Sequence, residues 1–142
     1  MTMKEKYKIV SKFIKDLSGE TPDIETYIFV KNYISKYQLN IDINSKPLKN
    51  RMIEVNTVMK FEDKEKRERK SYFEINYSTI IKLSDEIKEK KELEKIILCD
   101  VQTAIYPDIE KSLLDLIHNS GYPEVKFEKK VNFEELYNQR LN

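Results

Sequence analysis

The stretch VQTAIYPDIEKSLLDLIHNSGYP, residues 101–123, decides how the rest of the chain must be arranged. Val101, Ile105, Ile109, Leu113 and Ile117 stand four apart, with Ala104 and Leu116 filling in at three. One helical face therefore carries an apolar stripe about five turns long, and a stripe of that length has to be covered. Gly121 can adopt the left-handed conformation after the last turn, Tyr122 can then reach back to Ile117, and Pro123 keeps the helix from resuming. Pro107 falls inside the pattern and allows two readings. Either the helix begins there, with Asp108 and Glu110 at the positive end of its dipole, or a longer helix with Asp100 as its N-cap is kinked at Pro107. The stripe already runs through Val101 and Ile105, which favours the kinked long helix.

Upstream of this helix the dominant period is two. Tyr7, Ile9 and Phe13 alternate with Lys8 and Lys12 in a first strand, and Ser18, Gly19, Thr21 and Pro22 then read as a turn carrying Asp16 and Glu20. Residues 23–37 are rich in aromatics without a settled period, so helix and irregular strand both remain open there. Leu39, Ile41 and Ile43 mark a second strand, Ile53, Val55, Thr57 and Met59 a third, and Tyr72 to Leu83 a fourth. The charged residues 62–70 between the last two read as a solvated hairpin loop, which implies antiparallel pairing. Ser84 is placed to cap a charged covering helix running to about Leu98. Downstream, Asn132 and Glu135 form a capping box, and Val131 and Leu136 stand at the ends of a hydrophobic staple. A short last helix follows, with Phe133, Leu136, Tyr137 and Leu141 on its apolar side. Strands gathered before helices make an α+β fold, one four-stranded antiparallel sheet backed by helices, in a single domain over residues 1–142.

Composition narrows the function classes. With 26 basic and 25 acidic residues mixed along the chain, a net charge of +1 leaves no footprint for a phosphate backbone, so nucleic acid is not an expected partner. No apolar run reaches the length of a membrane span and the N-terminus lacks a secretory signal, so the expected setting is cytoplasmic without membrane insertion. One cysteine and one histidine exclude a disulfide or a Cys/His metal site within one chain, and Cys99 reads as a small buried hydrophobe. Two glycines cannot write a phosphate-cradling loop, and His118 suits the negative end of the long helix better than catalysis. No enzyme and no cofactor are expected.

Several short motifs, in order and at these spacings, carry a resemblance. They are Lys15-Asp16-Leu17-Ser18-Gly19-Glu20-Thr21-Pro22, then Glu74, Tyr77, Ile80 and Leu83, then Tyr106-Pro107, Gly121-Tyr122-Pro123, Val131-Asn132-Phe133 and Leu136-Tyr137. Over about Tyr7 to Tyr137 the chain resembles the SecB protein-export chaperones, with Gly19 where an aromatic is usual. The resemblance implies a kinked long helix, a crossover segment from Ser84 to Leu98 lying over the sheet, and a short C-terminal helix. It further implies a nucleotide-independent holdase, a homotetramer built as a dimer of dimers, which keeps unfolded preproteins extended and passes them to the SecA motor. The five-turn stripe, longer than one small sheet needs, is expected to contribute to subunit contacts.

Two groups of site residues follow. A holdase needs adaptable apolar and aromatic grooves, and Tyr27, Phe29 and Tyr33 with Ile81, Leu83 and Ile87 are the expected client-binding groove, although the same residues would serve equally to fill a core. By resemblance, Asp16, Glu20, Tyr72 and Glu74 occupy the positions with which the family docks SecA. The near-neutral charge is unlike the strongly acidic members that serve SecA, and it favours an alternative, a SecB-like chaperone dedicated to an antitoxin. A structural adaptor binding one folded partner through its sheet is the third reading.

Overall fold

The computed structural model describes residues 5–127 and 131–140. Four strands, β1 (Tyr7–Glu20), β2 (Gln38–Pro47), β3 (Met52–Glu62) and β4 (Tyr72–Leu83), form one antiparallel sheet in the order β1-β4-β3-β2. The helices are α1 (Ile24–Lys31), α2 (Lys90–Lys95), α3 (Val101–Asn119) and α4 (Phe133–Arg140). A single π turn, Ile96–Asp100, joins α2 to α3, so the two make one long helix across the sheet.

Alternation in β3 and β4 creates the seat for that helix. Ile53, Val55, Thr57, Met59 and Phe61 of β3 and Phe73, Ile75, Tyr77, Thr79 and Ile81 of β4 are buried on one face. Val101, Ile105, Ile109, Leu113 and Ile117 of α3 are buried against them to 1% exposure or less. At about 1.5–3 kcal/mol per fully buried aliphatic side chain, this contact is the main source of cohesion. The stripe is covered within the chain. One polar residue sits inside the contact: buried Gln102 accepts from the Thr57 hydroxyl at 2.9 Å and donates to the Ile97 carbonyl at 3.2 Å, which satisfies a carbonyl of the π turn.

α3 ends as the sequence indicates. The Tyr122 N–H bonds the Ile117 carbonyl and the Gly121 N–H bonds that of His118, the paired bonds of a Schellman stop, and Gly121 has φ +103°. The helix passes through Pro107 unbroken. Asp100 is no cap: it is helical, with φ −64°, and makes no side-chain cap bond, because the helix begins a turn and more upstream. At α4 the Glu135 N–H bonds the Asn132 side chain at 3.0 Å, one half of the capping box, while Leu141 lies outside the described residues.

Three further readings are settled or corrected. Residues 23–37 are a helix and a 3-10 turn, started by Asp23, whose carboxylate accepts the Thr26 N–H at 2.7 Å. β1 continues through the supposed turn to Glu20, because β4 supplies partners as far as Tyr72, and Asp16 and Glu20 therefore lie on a strand. A Cβ on Gly19 would stand 3.3 Å from Leu116 of α3, so an aromatic at this position would require Leu116 to move. The helix expected from Ser84 does not form before Lys90. Arg51 donates to the carbonyls of Ser84 and Ile87 at 2.6 and 2.8 Å, while the Ser84 hydroxyl accepts the Glu86 N–H and its carbonyl the Ile87 N–H in a local turn.

A Cβ on Gly121 would meet the Tyr27 ring at 2.5 Å as well as carrying the strain of positive φ. Gly121→Ala is expected to lower unfolding free energy by about 1–3 kcal/mol in denaturant titration. A change within about 0.5 kcal/mol would contradict the dual role assigned to this glycine.

Candidate functional site

The sequence closes off α3 at Gly121, and the chain beyond it must return across the end of the sheet. Three contacts fix its path. Tyr122 is fully buried, its ring meets Phe73 edge-on at 5.9 Å, and its hydroxyl lies 3.2 Å from that of Ser71. The Tyr27 hydroxyl donates to the Gly121 carbonyl at 2.9 Å, and His118 Nε2 donates to the Val125 carbonyl at 2.7 Å. Ser71 ties the same corner to β1 through Thr21, at 2.7 Å, and donates its N–H to the Tyr37 hydroxyl at 3.0 Å.

Between this returning segment and the start of β2 lies a cleft of about 710 Å³. Ile34, Tyr37 and Leu39 line one side, Val125, Phe127 and Val131 the other, and Phe61 the floor. The Phe61 ring stands 5.4 Å from both Tyr37 and Phe127, so the lining is an aromatic cluster with one ring on each wall. Burial pushes the Tyr37 hydroxyl up to about 12, and it serves as a neutral anchor for Ser71.

The groove expected from the sequence is not assembled as one site. Phe29 and Tyr33 stack at 4.9 Å, and Tyr27 packs on Tyr122 at 5.3 Å, all near the Phe73 end of β4. Ile81, Leu83 and Ile87 belong to the other end, about 26 Å along the strand from Phe73 to Ile81. Ile81 has no exposed surface and Ile87 is buried, so both are core. Tyr33 is covered by Arg67, whose guanidinium lies 4.5 Å over the ring while bonding Asp63 at 2.6 Å. The charged connection between β3 and β4 is thus pinned to α1 rather than freely solvated, with Arg69 also reaching Asp23 at 3.2 Å.

The second expected group does come together. Glu20 pairs with Tyr72, Ser18 with Glu74 and Asp16 with Asn76, which places Asp16, Glu20, Tyr72 and Glu74 on the sheet face opposite the helices. Tyr72 is more than half exposed there. Ser18 donates to Asp16, and Lys60 lies 3.7 Å from Glu74. The first strand also leaves Val10, Phe13, Ile14 and Leu17 exposed along the edge of the sheet. Cys99 is buried with Phe133 and Tyr137 of α4, and burial pushes its thiol up, away from the reactive thiolate.

A family model described as preprotein translocase subunit SecB matches residues 2–142. The chain belongs to the SecB family. SecB proteins are chaperones of protein export and are not enzymes. A relative from Pelagibacter ubique, named putative protein-export protein SecB, is 58% identical over 140 residues, 99% of this chain and 100% of its own. A protein-export protein SecB from Buchnera aphidicola is 25% identical, covering 96% of this chain and 94% of its own. Among solved structures, a SecB-like chaperone of Mycobacterium tuberculosis, in complex with a peptide from an antitoxin, superposes with a TM-score of 0.66. It is 12% identical, over 89% of this chain and 92% of that one, and it shares the fold. Among the described residues no helix is long and apolar enough to cross a membrane.

Sequence reasoning missed Ile34, Tyr37, Leu39, Phe61, Val125 and Phe127 as one lining. The cleft is made where the segment before β2 meets the segment after α3, and no local pattern records that meeting. It also missed Asp63. Burial would raise that carboxyl, but Arg67, the Glu65 N–H and Lys70 outweigh burial and hold it below the usual carboxylate range. Its contribution to stability is complete above the unfolded value near 4 and is lost as pH falls through the lower folded value. Asp63→Asn is expected to weaken the protein at neutral pH and flatten its acid limb in denaturant titrations between about pH 4 and 2. An acid limb identical to that of the unmodified protein would contradict this role.

Proposed function

We propose that this chain is a SecB-family holdase that, without nucleotide, keeps unfolded preproteins extended and delivers them to the SecA motor. The observation that carries the reading is the aromatic cleft between residues 34–39 on one side and residues 124–127 with Val131 on the other. Unfolded chains share apolar side chains and not a sequence, so a general binder needs a wide apolar lining with few fixed polar demands. Leu39, Phe127 and Val131 are the part-exposed members of this lining, over a buried floor of Tyr37 and Phe61. Clients enter there rather than at the stretch from Ile81 to Ile87.

Asp16, Glu20, Tyr72 and Glu74 support the delivery step. Carboxylates around an exposed ring on a flat sheet face steer a basic partner and fix its register, an effect that salt weakens. The apolar residues exposed along β1 support assembly into a homotetramer, a dimer of dimers, and the setting is the cytoplasm. A second reading, a chaperone dedicated to an antitoxin, is favoured by the net charge of +1 and by the antitoxin peptide held by the M. tuberculosis neighbour. The high identity to a relative named for export and the local acidic patch favour delivery to SecA.

A crossed binding experiment separates the roles. Replacing Asp16, Glu20 and Glu74 together by alanine is expected to weaken SecA binding roughly tenfold and leave binding of a reduced, unfolded protein within about twofold. Phe127→Ala is expected to do the reverse, weakening the unfolded protein roughly tenfold. Absence of SecA binding by the unmodified protein, with tight binding of one antitoxin, would replace the export reading by the dedicated one.

A further inference from the structure

The outer face of the sheet carries opposite charge at its two ends. Asp16, Glu20 and Glu74 lie at the Tyr72 end, and alternation carries the same face of β4 through Asn76, Ser78 and Ile80 to Lys82, roughly 26 Å beyond Glu74. There Lys82 stands directly opposite Lys8 of β1 on one side and Met52 of β3 on the other. Lys46 of β2 lies one row further in, across from Glu54, and Lys49 sits in the turn between β2 and β3. All of these lysines are exposed, and among the described residues none of them makes an ion pair.

Like charges directly opposite each other on neighbouring strands destabilise a sheet, so the pair of Lys8 and Lys82 calls for an anion. The chain does not supply one. Glu54 is held by Lys15 and Ser78, each at 2.8 Å, Asp85 by Arg51 at 3.5 Å and Glu92 by Lys6 at 3.8 Å. Glu5 lies beside both lysines without pairing to either, and Glu86 and Glu89 are flanked by Lys88, Lys90 and Lys91. The turn that carries Lys49 is set in place. Asn50 and Arg51 have φ 62° and 61°, a conformation that disfavours arginine, yet the Arg51 side chain ties the turn to the Ser84 and Ile87 carbonyls. At its tip Leu48 donates its N–H to the Met52 carbonyl at 2.8 Å and leaves 39% of its surface exposed between Lys46 and Lys49.

We propose that this lysine rim is a docking surface for an anionic phospholipid bilayer, with Lys8, Lys46, Lys49 and Lys82 among the headgroups and Leu48 at the acyl boundary. Charge complementarity carries the choice: each lysine near an anionic membrane surface strengthens attachment about fivefold, and an apolar side chain set among the charges is what an interfacial contact buries. Nucleic acid fits the rim less well. Arg51 is spent on carbonyls, and none of the rim side chains offers a ring on which a base could stack. Attachment of this kind is reversible and stays on the surface. The inference stands on the charge of the rim and does not depend on which client the cleft takes.

The probe is a vesicle of phosphatidylglycerol and phosphatidylcholine in equal parts, and the readout is the fraction of the full chain that sediments with it at low salt. The unmodified protein is expected to bind these vesicles, to ignore vesicles of phosphatidylcholine alone, and to be released as salt rises. Lys49→Gln with Lys82→Gln is expected to lower the partition coefficient roughly twentyfold. Lys64→Gln with Lys66→Gln, an equal charge change in the connection between β3 and β4, is expected to leave it within about twofold. Lys49→Arg with Lys82→Arg keeps the charge and is expected to keep the binding, and loss in the arginine pair as well overturns the proposal. No binding of the unmodified protein to the mixed vesicles overturns it, as does an equal loss in both glutamine pairs, which reduces the effect to net charge. Tighter binding of a single-stranded oligonucleotide than of the vesicles, lost in the same rim pair, overturns it in favour of nucleic acid.

Discussion

The burial of the α3 stripe on the inner face of β3 and β4 is the contact on which the other features depend. It consumes Val101, Ile105, Ile109, Leu113 and Ile117 completely, and the π turn at Ile96–Asp100 lets α2 continue the same helix over the sheet. A helix seated this way ends at the Phe73 side of β4, where Gly121 stops it and Tyr122 drops into the core. The returning segment then has only one place to go, across the start of β2, and the cleft is what remains between them.

The remaining surface divides by chemistry. Apolar side chains are exposed along β1, carboxylates with Tyr72 lie on the outer face, and aromatic rings line the cleft. On the proposed function each kind of surface is assigned a different partner: another copy of the chain, a basic docking protein, an unfolded client. The outer-face patch and the cleft lie on opposite sides of one sheet and share no residue.

Much of the fold was legible because its signals are local. The four-apart stripe, the Gly121-Tyr122-Pro123 stop, the alternation in β3 and β4 and the Asn132 cap are each written within a few residues. What was not legible depends on distant chain. Nothing near Ser84 announces that Arg51 will hold its carbonyl and that of Ile87 out of a helix. β1 runs past Gly19 because β4 is long enough to pair with it. Residues 24–31 lacked a period because Ile24 and Ile28 are exposed while Thr26 and Val30 are buried. Of the candidate sites, the outer patch was readable from motif order, since neighbouring strands with a known register put its members side by side. That the residues of the expected groove would not come together was not readable, because only the topology places Ile81 and the ring of Tyr27 toward opposite ends of β4.

The central claim, that unfolded polypeptide occupies the cleft between residues 34–39 and residues 124–127 with Val131, is tested most directly by site-specific photocrosslinking. A photoreactive phenylalanine analogue at Phe127 is predicted to crosslink to a reduced, unfolded protein and not to the same protein folded, while the analogue at Ile87 does neither. Crosslinking from Ile87 with none from Phe127 would contradict the account and return the client site to the other end of the sheet.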